Sequence, residues 1–289
     1  MGGQREPARP SRSGNPENLL KTNLQRFGLG LKTGVQLPFE WKGRVPDDQV
    51  KRDLVNRHVL LPGEAPRLLV GDEVQVAIGQ GLMAATPLQM ADAYATLANR
   101  GLLLQPSIVK NIYAPLTPDA GPAVADLTRG TVVKSYEQPI VRDALEMPAE
   151  QYDPIINGLR RVIRGKGVTY PSNFYHATTG QTLFEGFPVE IAGKTGTAQG
   201  AGNLPWNDSS AFGAFSLDDT VPFTIYAYLE KSGYGSKAAA PVVKCMFLAL
   251  TDRVALDPVL VSDPLDINAT EAAPPKRLAD TGCLTGTSG

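Results

Sequence analysis

The chain contains 289 residues, of which 42% are hydrophobic, so it can bury one large core or two smaller ones. Its 28 basic and 29 acidic side chains nearly cancel, and this balance points to neither a nucleic acid nor an anionic membrane as a partner. Two cysteines and two histidines, without the spacing of metal ligands, predict no metal site and no disulfide.

The two ends of the chain are predicted to be poorly ordered. Residues 1–18 are polar and rich in Gly, Pro, Arg and Ser, and residues 251–289 carry scattered Asp and Pro without periodicity. No apolar run reaches the roughly 18 residues that a membrane-spanning helix needs, and no secretory signal is evident. The folded domain is therefore expected to occupy residues 19–250.

The first part of this domain is predicted to combine a short helix with loops. A helix over residues 19–26 should bury its three leucines. A loop punctuated by Gly and Pro follows over residues 27–48, and residues 51–69 show no clear pattern.

The helix predicted most clearly runs from Thr86 to Gly101. Thr86 is a natural N-cap, Pro87 suits the first turn, and Gly101 can adopt the left-handed conformation that ends a helix. The apolar side chains fall on one stripe, which should face the core. This stripe contains Leu88, Ala91, Ala95 and Ala98, with Met90, Tyr94 and Leu97 beside it.

Ser107 and Lys110 form the one S-x-x-K pattern in the chain, which makes them a candidate nucleophile and base. Such a pair needs a helix, because one turn brings the lysine amine to the serine hydroxyl. Here Pro106 precedes the serine, and Ile108 and Val109 favour a strand, in which positions i and i+3 face opposite ways. We therefore do not expect Ser107 to act as a nucleophile.

The middle of the chain is predicted to alternate extended and helical segments. Residues 101–113 should be extended, and residues 131–141 should form a short hairpin. Residues 152–165 show the apolar spacing of a helix that ends at a glycine.

The last part of the domain is predicted to be a sheet covered by a helix. Strands over residues 189–199, 211–217 and 221–229 should pair antiparallel. A final helix over residues 237–250 should turn these side chains inward: Val242, Val243, Met246, Phe247 and Leu250. The fold class is therefore α+β, an antiparallel sheet flanked by helices.

The strand over residues 189–199 ends in residues suited to contact rather than to packing. Lys194 is a cation on a flexible stem that can hold a carboxylate, and Thr195 and Thr197 add hydroxyl groups. The two glycines of this strand lack a Cβ, so a ligand or another chain can approach the backbone closely. A strand end with a solvated lysine is the ordinary alternative, and the second K-T-G, at residues 32–34, is interpreted as a turn.

Three segments with longer motifs follow one another along the chain. Residues 27–46 contain F-G-L-G, T-G, L-P, E and G-R-V-P, and residues 78–101 contain I-G-Q-G, T-P-L-Q-M-A and Y-A-T-L-A-N-R-G. Residues 193–199 read G-K-T-G-T-A-Q. In this order the segments resemble class B penicillin-binding proteins, especially the elongation type, and the K-T-G resembles the third motif of that family.

The resemblance implies the penicillin-binding transpeptidase fold, which is similar to that of serine β-lactamases. It implies a serine D,D-transpeptidase that cross-links peptidoglycan stem peptides without a metal or a cofactor. In that scheme Lys194 and Thr195 hold the terminal carboxylate of a stem peptide or a β-lactam, Gly196 keeps the strand open, and the N–H of Thr197 donates to the oxyanion. The implied partners are proteins of cell-wall elongation or division, at the extracytoplasmic face of the cell membrane.

The chain departs from this family at the nucleophile. The one S-x-x-K is not expected to be helical, and the S-x-N match at Ser13-Gly14-Asn15 stands too close to the F-G-x-G segment, so it is interpreted as coincidence. We therefore expect the C-terminal part of a transpeptidase domain, without its catalytic serine and lysine and inactive alone. The alternative is a non-catalytic module that binds stem peptides or a partner in cell-wall synthesis.

Overall fold

A computed structural model describes the following residues of the chain: 19–114, 131–164, 174, 182–200 and 208–251. The chain divides into two compact units, Met1–Glu146 and Met147–Gly289. The predicted leader and nearly all of the predicted tail lie outside the described residues, so the domain bounds of 19 and 250 stay a prediction.

The described residues of the first unit form helices and short antiparallel pairs of strands. The helices are α1 (Leu19–Arg26), α2 (Asp48–Asn56), α3 (Val70–Ala77) and α4 (Pro87–Ala98), and the strands are β1 (Leu102–Leu104), β2 (Asn111–Tyr113), β3 (Val132–Ser135) and β4 (Val141–Ala144). α1, α4 and the extended segment after α4 confirm the predictions. α2 lies where the sequence shows no clear pattern, because its buried face carries Asp48 and Lys51 beside Leu54.

The hairpin predicted over residues 131–141 is wrong. β3 pairs with β2, and β4 pairs with β1, both antiparallel. Between these pairs, the N–H of Gln105 donates to Ile140 O and the N–H of Tyr136 donates to Lys110 O, both at 2.8 Å. The segment after residue 131 therefore pairs with residues 101–105 and 110–114, and these two stretches satisfy more backbone groups than a short hairpin could.

α4 begins as predicted, with a reciprocal cap. The hydroxyl of Thr86 accepts the N–H of Gln89 at 3.1 Å, and the side-chain oxygen of Gln89 accepts the N–H of Thr86 at 2.9 Å. The backbone after the helix turns left-handed at Gly101, with φ of +100°. A Cβ there would lie 2.2 Å from Leu145 O, so this position has no room for a side chain.

The buried face of α4 is polar, so the prediction that its apolar stripe faces the core is wrong. The buried side chains are Gln89, Asp92 and Thr96, while Leu88 is exposed. The loop after α1 packs here with its backbone, and Gln89 Nε2 donates to Leu31 O at 2.6 Å and to Lys42 O at 2.7 Å. Buried carbonyls need donors, and apolar side chains could not supply them.

The predicted inward face of α1 is wrong at its first two leucines. Leu19 is 72% exposed and Leu20 is also exposed, while Leu24 is partly buried. α1 is held by polar groups instead, because Lys21 pairs with Asp47 and the side chain of Arg26 donates to Ala144 O at 3.1 Å.

The second unit is a three-stranded antiparallel sheet with two helices among its described residues. In chain order these are α5 (Ala149–Arg164), β5 (Ile191–Ala198), β6 (Ser209–Ser216), β7 (Thr224–Leu229) and α6 (Ala239–Leu250), with strand order β5-β6-β7. The three predicted strands, their antiparallel pairing and both helices are confirmed. The core joins the sheet to both helices through these buried residues: Ile163, Phe174, Phe184, Val189, Ile191, Phe212, Ala214, Ile225, Ala239, Ala240, Val243 and Phe247.

α6 is rotated relative to the prediction. Val243 and Phe247 are fully buried as expected, whereas Met246 and Leu250 are exposed. The residues of α6 that face the core are Ala239, Ala240, Val243 and Phe247, which follow one another at helical spacing. The two alanines have small side chains, so the first turn of α6 can lie close to the sheet. Cys245 is buried and disulfide-bonded, so the prediction of no disulfide is wrong.

A short loop between β7 and α6 packs directly on the sheet. The buried hydroxyl of Ser210 donates to Tyr234 O at 3.1 Å and accepts the N–H of Ala239 at 2.9 Å. Gly235 lies so close that an added Cβ would stand 2.3 Å from Ala211 O and 2.5 Å from Gly196 O. The backbone of this loop therefore positions β5 at Gly196.

We predict that Gly235→Ala destabilises the second unit by about 1–3 kcal/mol, because the new methyl group meets backbone atoms that cannot move independently. Gly158→Ala is the matched control, since an added Cβ there meets nothing within 4 Å inside α5. That change should stabilise the protein by about 0.5–1 kcal/mol through helix propensity. Urea unfolding followed by circular dichroism measures both, and equal effects of the two changes would contradict the packing described.

The ion pair under α4 generates a pH prediction. Asp92 lies 3.2 Å from Arg142, and burial raises the pKa of the Asp92 carboxyl from 3.8 to about 6, outweighing the lowering by Arg142. A raised folded-state pKa means that folding takes up a proton. The contribution of the protonated Asp92 carboxyl to the free energy of unfolding is therefore complete below pH 3.8, and it is lost as pH rises through about 6.

We predict that Asp92→Asn removes this pH-dependent loss of stability. The loss is at most about 3 kcal/mol in the free energy of unfolding as pH rises from 3.8 through about 6. The measurement is the free energy of urea unfolding of the wild-type chain and the variant at about pH 4.5 and pH 7.5. Asp53→Asn is the control, because Asp53 is an exposed carboxylate of the same unit. Parallel pH profiles of the wild-type chain and Asp92→Asn would show that Asp92 stays ionised throughout.

Candidate functional site

The hydrogen-bond register of β5 determines which of its backbone groups face outward. Among the described strands β5 has one neighbour, β6, with Lys194 opposite Gly213 and Thr197 opposite Ser210. Just before β5, the N–H of Leu217 donates to Glu190 O at 2.8 Å. Opposed residues of an antiparallel pair alternate between bonded and non-bonded, so the even-numbered residues of β5 bond to β6.

The odd-numbered residues of β5 therefore direct their backbone groups away from β6. These include Thr195 and Thr197, whose N–H and C=O groups lie along the outer edge of the sheet. The contact of Lys194 agrees with this pattern, because its Nζ donates to Thr195 O at 2.9 Å. The Thr195 carbonyl thus lies where a group outside the β5–β6 ladder can reach it.

Lys194 is an exposed cation at this edge. It lies on a strand, as predicted, and neither in a helix nor in the apolar core. Thr195 and Thr197 are partly buried, and Thr195 stands opposite Phe212 on the core side of the sheet. The arrangement places an ammonium group, a threonine hydroxyl and two outward backbone N–H groups within one stretch, which suits an extended ligand that ends in a carboxylate.

The two glycines of β5 serve packing within the protein. Gly193 is buried, and an added Cβ would lie 2.8 Å from Gly213 O and 2.9 Å from the Ala214 Cβ. Gly196 is approached by Gly235 of the loop before α6. The sequence predicted that a ligand or another chain approaches both glycines closely. In the structure the groups that approach them belong to β6 and to the loop before α6. The two glycines of the Ser232-Gly233-Tyr234-Gly235 stretch were the sequence signal that could have identified this loop.

The start of β5 is held by an ion-pair cluster. Arg160 and Arg164 of α5 both pair with Glu190, one residue before the strand. α5 thus fixes the entry into β5, while the loop at Gly235 fixes the strand at Gly196, two residues before its end at Ala198.

Ser107 lies outside any helix, between β1 and β2, as predicted. Its hydroxyl donates to Val109 O at 2.7 Å and contacts the Gln36 side chain at 3.3 Å. Lys110 points elsewhere, with its Nζ 3.4 Å from Glu137. The S-x-x-K pattern is therefore not an assembled nucleophile and base.

The other candidate residues that the structure describes lie away from this strand or hold no metal. The second K-T-G lies in a loop, where Gly34 has φ of +82° and Thr33 is buried. No group of His, Cys, Asp and Glu suited to a metal ion occurs in the described part of the chain. Ser13-Gly14-Asn15 and His176, one of the two histidines of the chain, fall outside the described residues. Among the residues that the structure describes, no helix is long and apolar enough to cross a membrane.

Comparison with known proteins gives matches over most of the chain. The family described as "Penicillin binding protein transpeptidase domain" matches residues 13–247. The chain is 26% identical over 234 residues to the peptidoglycan D,D-transpeptidase MrdA of Haemophilus influenzae. The matched region covers 76% of this chain and 31% of that protein. The chain spans between 21% and 33% of the length of the first curated relatives it matches.

Solved structures with the same fold agree. Penicillin-binding protein 2B of Streptococcus pneumoniae gives a TM-score of 0.59 at 22% identity, over 86% of this chain and 35% of that one. Pseudomonas aeruginosa PBP2 in complex with WCK 5153 gives 0.53 at 26% identity, over 79% and 42%. With a family match over residues 13–247 and this shared α+β architecture, the chain belongs to the penicillin-binding protein transpeptidase family and is of the class B type.

Proposed function

We propose that β5 is the carboxylate-binding strand of a peptidoglycan D,D-transpeptidase site. The terminal carboxylate of a stem peptide, or that of a β-lactam, would bind Lys194 and the hydroxyl of Thr195. The observation that carries this proposal is the register of β5, which turns the backbone of Thr195 and Thr197 outward beside an exposed lysine. The relative MrdA is a peptidoglycan D,D-transpeptidase by name, which supports the same substrate class.

The ligand would lie along β5 as an added antiparallel strand. Its backbone would bond to the outward groups of Thr195 and Thr197, and its carboxylate would displace Thr195 O from the Lys194 ammonium. A charged acceptor in place of a neutral carbonyl strengthens the bond to Lys194. Gly196 lacks a side chain, but Gly235 of the loop before α6 packs against it, so the ligand would approach along the outer edge of β5.

The reaction proposed is acyl transfer. A serine oxygen attacks the carbonyl of the penultimate D-alanine, the terminal D-alanine leaves, and an amine of a second strand then takes the acyl group. The N–H of Thr197 would stabilise the oxyanion. β-Lactams would form the same acyl bond and remain attached.

The serine and its lysine base are proposed to lie outside these 289 residues. The one S-x-x-K in the sequence, at Ser107, has its hydroxyl bonded to a carbonyl and its lysine beside Glu137. By itself the chain would then bind carboxylate ligands reversibly without being acylated. Its place of action would be the extracytoplasmic face of the membrane, with elongation or division proteins as partners. The alternative, a non-catalytic module for stem peptides, shares the binding strand.

We predict that the purified chain is not labelled by a fluorescent penicillin, because no described serine has an activating lysine one helical turn away. The measurement is a denaturing gel after incubation, with a catalytically competent penicillin-binding protein as the positive control. A stoichiometric band that disappears in Ser107→Ala would overturn the interpretation of that motif. A band that persists in Ser107→Ala would place a nucleophile elsewhere in the chain.

We predict that a peptide ending in D-Ala-D-Ala binds weakly at β5 and that Lys194→Ala weakens it about tenfold to a hundredfold. The range follows from the roughly 1.5–3 kcal/mol of a charge-assisted hydrogen bond. Amide chemical shifts in an NMR titration measure both the affinity and the location. Lys134→Ala is the matched control, because Lys134 is an exposed strand lysine of the other unit. Equal binding of the C-terminally amidated peptide would show that Lys194 holds no carboxylate.

A further inference from the structure

Asp208, the residue directly before β6, accepts hydrogen bonds from two other segments of the second unit. Its carboxylate accepts the N–H of Gly200 at 3.1 Å. Its backbone carbonyl accepts the N–H of Ser232 at 2.9 Å and that of Gly233 at 3.0 Å. Gly200 follows β5, whereas the other two donors belong to the loop before α6. We call these three bonds the Asp208 junction.

The carboxylate bond lies just beyond the point where the ladder of β5 ends. The last pair of the ladder is Ala198 opposite Ser209, and Gly200 follows two residues later. Gly200 continues the even-numbered series of residues that bond to the β6 side of the strand. Its acceptor is a charged side chain instead of a ladder carbonyl, and hydrogen bonds to charged groups are among the stronger ones in proteins. The carboxylate therefore ties the chain to β6 after the ladder has stopped.

The two carbonyl bonds connect the same residue to the loop that packs on β5. Two residues after Gly233, Gly235 lies so close to Gly196 that an added Cβ would stand 2.5 Å from the Gly196 oxygen. The hydroxyl of Ser232 adds a bond of 2.6 Å to Leu229 O, at the end of β7. The loop is thus held by Asp208 and by β7 before it reaches β5.

Thr197 lies between the two points of β5 that depend on Asp208. Gly196, one residue before it, packs against the loop, and Gly200, three residues after it, donates to the carboxylate. The backbone of Thr197 faces away from β6, so its direction is set by how the residues on both sides are held. A donor that is held in place before a ligand arrives needs no reorganisation on binding.

A carboxylate beside a turn often serves its own turn only, and Asp218 is an example. At the other end of β6, the Asp218 side chain accepts the N–H of Thr220, two residues away, at 2.9 Å. Asp208 instead reaches a residue eight positions earlier in the chain and joins β5, β6 and the loop before α6. Asp218 is therefore a matched control for a carboxylate with a purely local role.

We propose that Asp208 is a positioning residue, which holds the end of β5 and the loop before α6 so that the N–H of Thr197 stays on the ligand-facing edge. The purpose of this arrangement rests on the proposed function of β5, in which that N–H stabilises the oxyanion. The junction itself can be measured without a ligand.

The test uses the full chain labelled with ¹⁵N and the variant Asp208→Ala, which removes the acceptor of Gly200 but keeps both carbonyl bonds. The ¹⁵N order parameter of the Thr197 amide should fall from about 0.85 to below about 0.7, and that of Lys194 should stay unchanged. Order parameters report local motion in the folded state, so a change in global stability alone does not move them.

The second measurement is the affinity for a peptide that ends in D-Ala-D-Ala, determined by NMR titration. Asp208→Ala should weaken binding about threefold to tenfold, because the edge is no longer pre-organised. Asp208→Asn keeps an oxygen for Gly200 and should restore both the order parameter and the affinity to within about twofold of the wild-type chain. Asp218→Ala should leave both unchanged.

Three results would overturn the proposal. They are an unchanged Thr197 order parameter in Asp208→Ala, an equal loss of order there in Asp218→Ala, and a wild-type affinity retained in Asp208→Ala. A wild-type chain that binds no peptide would refute the proposed function of β5 instead, and the order parameters then decide whether Asp208 holds the strand.

Discussion

The alternation of hydrogen bonds between β5 and β6 is the constraint on which the candidate site depends. The bond from Leu217 N–H to Glu190 O sets the phase of this ladder, and every second residue of β5 then turns its backbone outward. A shift of one residue would give the outward groups to Lys194 and Gly196 and would also exchange the two faces of the strand. The register is secured because β6 is buried along nearly its whole length, so neither face tolerates such a shift.

Two kinds of contact hold β5 in place at its two ends. At the start, the arginines of α5 pair with Glu190, and such exposed pairs individually contribute modestly. Near the end, the loop before α6 meets the strand backbone to backbone at Gly235, with Ser210 bonding the loop and the first turn of α6. Close packing without side chains gives little freedom of movement, so the ligand-facing edge is pre-organised rather than assembled on binding.

The first unit shows a different solution, in which polar side chains replace an apolar helix face. Gln89 caps its own helix and binds two carbonyls of the long loop, and Asp92 and Arg142 add a buried ion pair beneath it. This network orders a segment that buries Leu29, Val35 and Val45 among the described residues.

The sequence by itself determined the parts of this protein that rest on local periodicity and on motif order. Alternation predicted the three strands of the second unit, capping residues predicted both ends of α4, and the K-T-G-T-A-Q stretch led to Lys194 and its neighbours. Only the tertiary structure decided which faces are buried and which strands meet. α4 buries Gln89 rather than Leu88 because a loop backbone packs on it, and β3 pairs with β2 because this pairing satisfies more backbone groups than a short hairpin could. The outward backbone of Thr195 and the approach of Gly235 likewise depend on contacts between residues far apart in the chain, which no local pattern encodes.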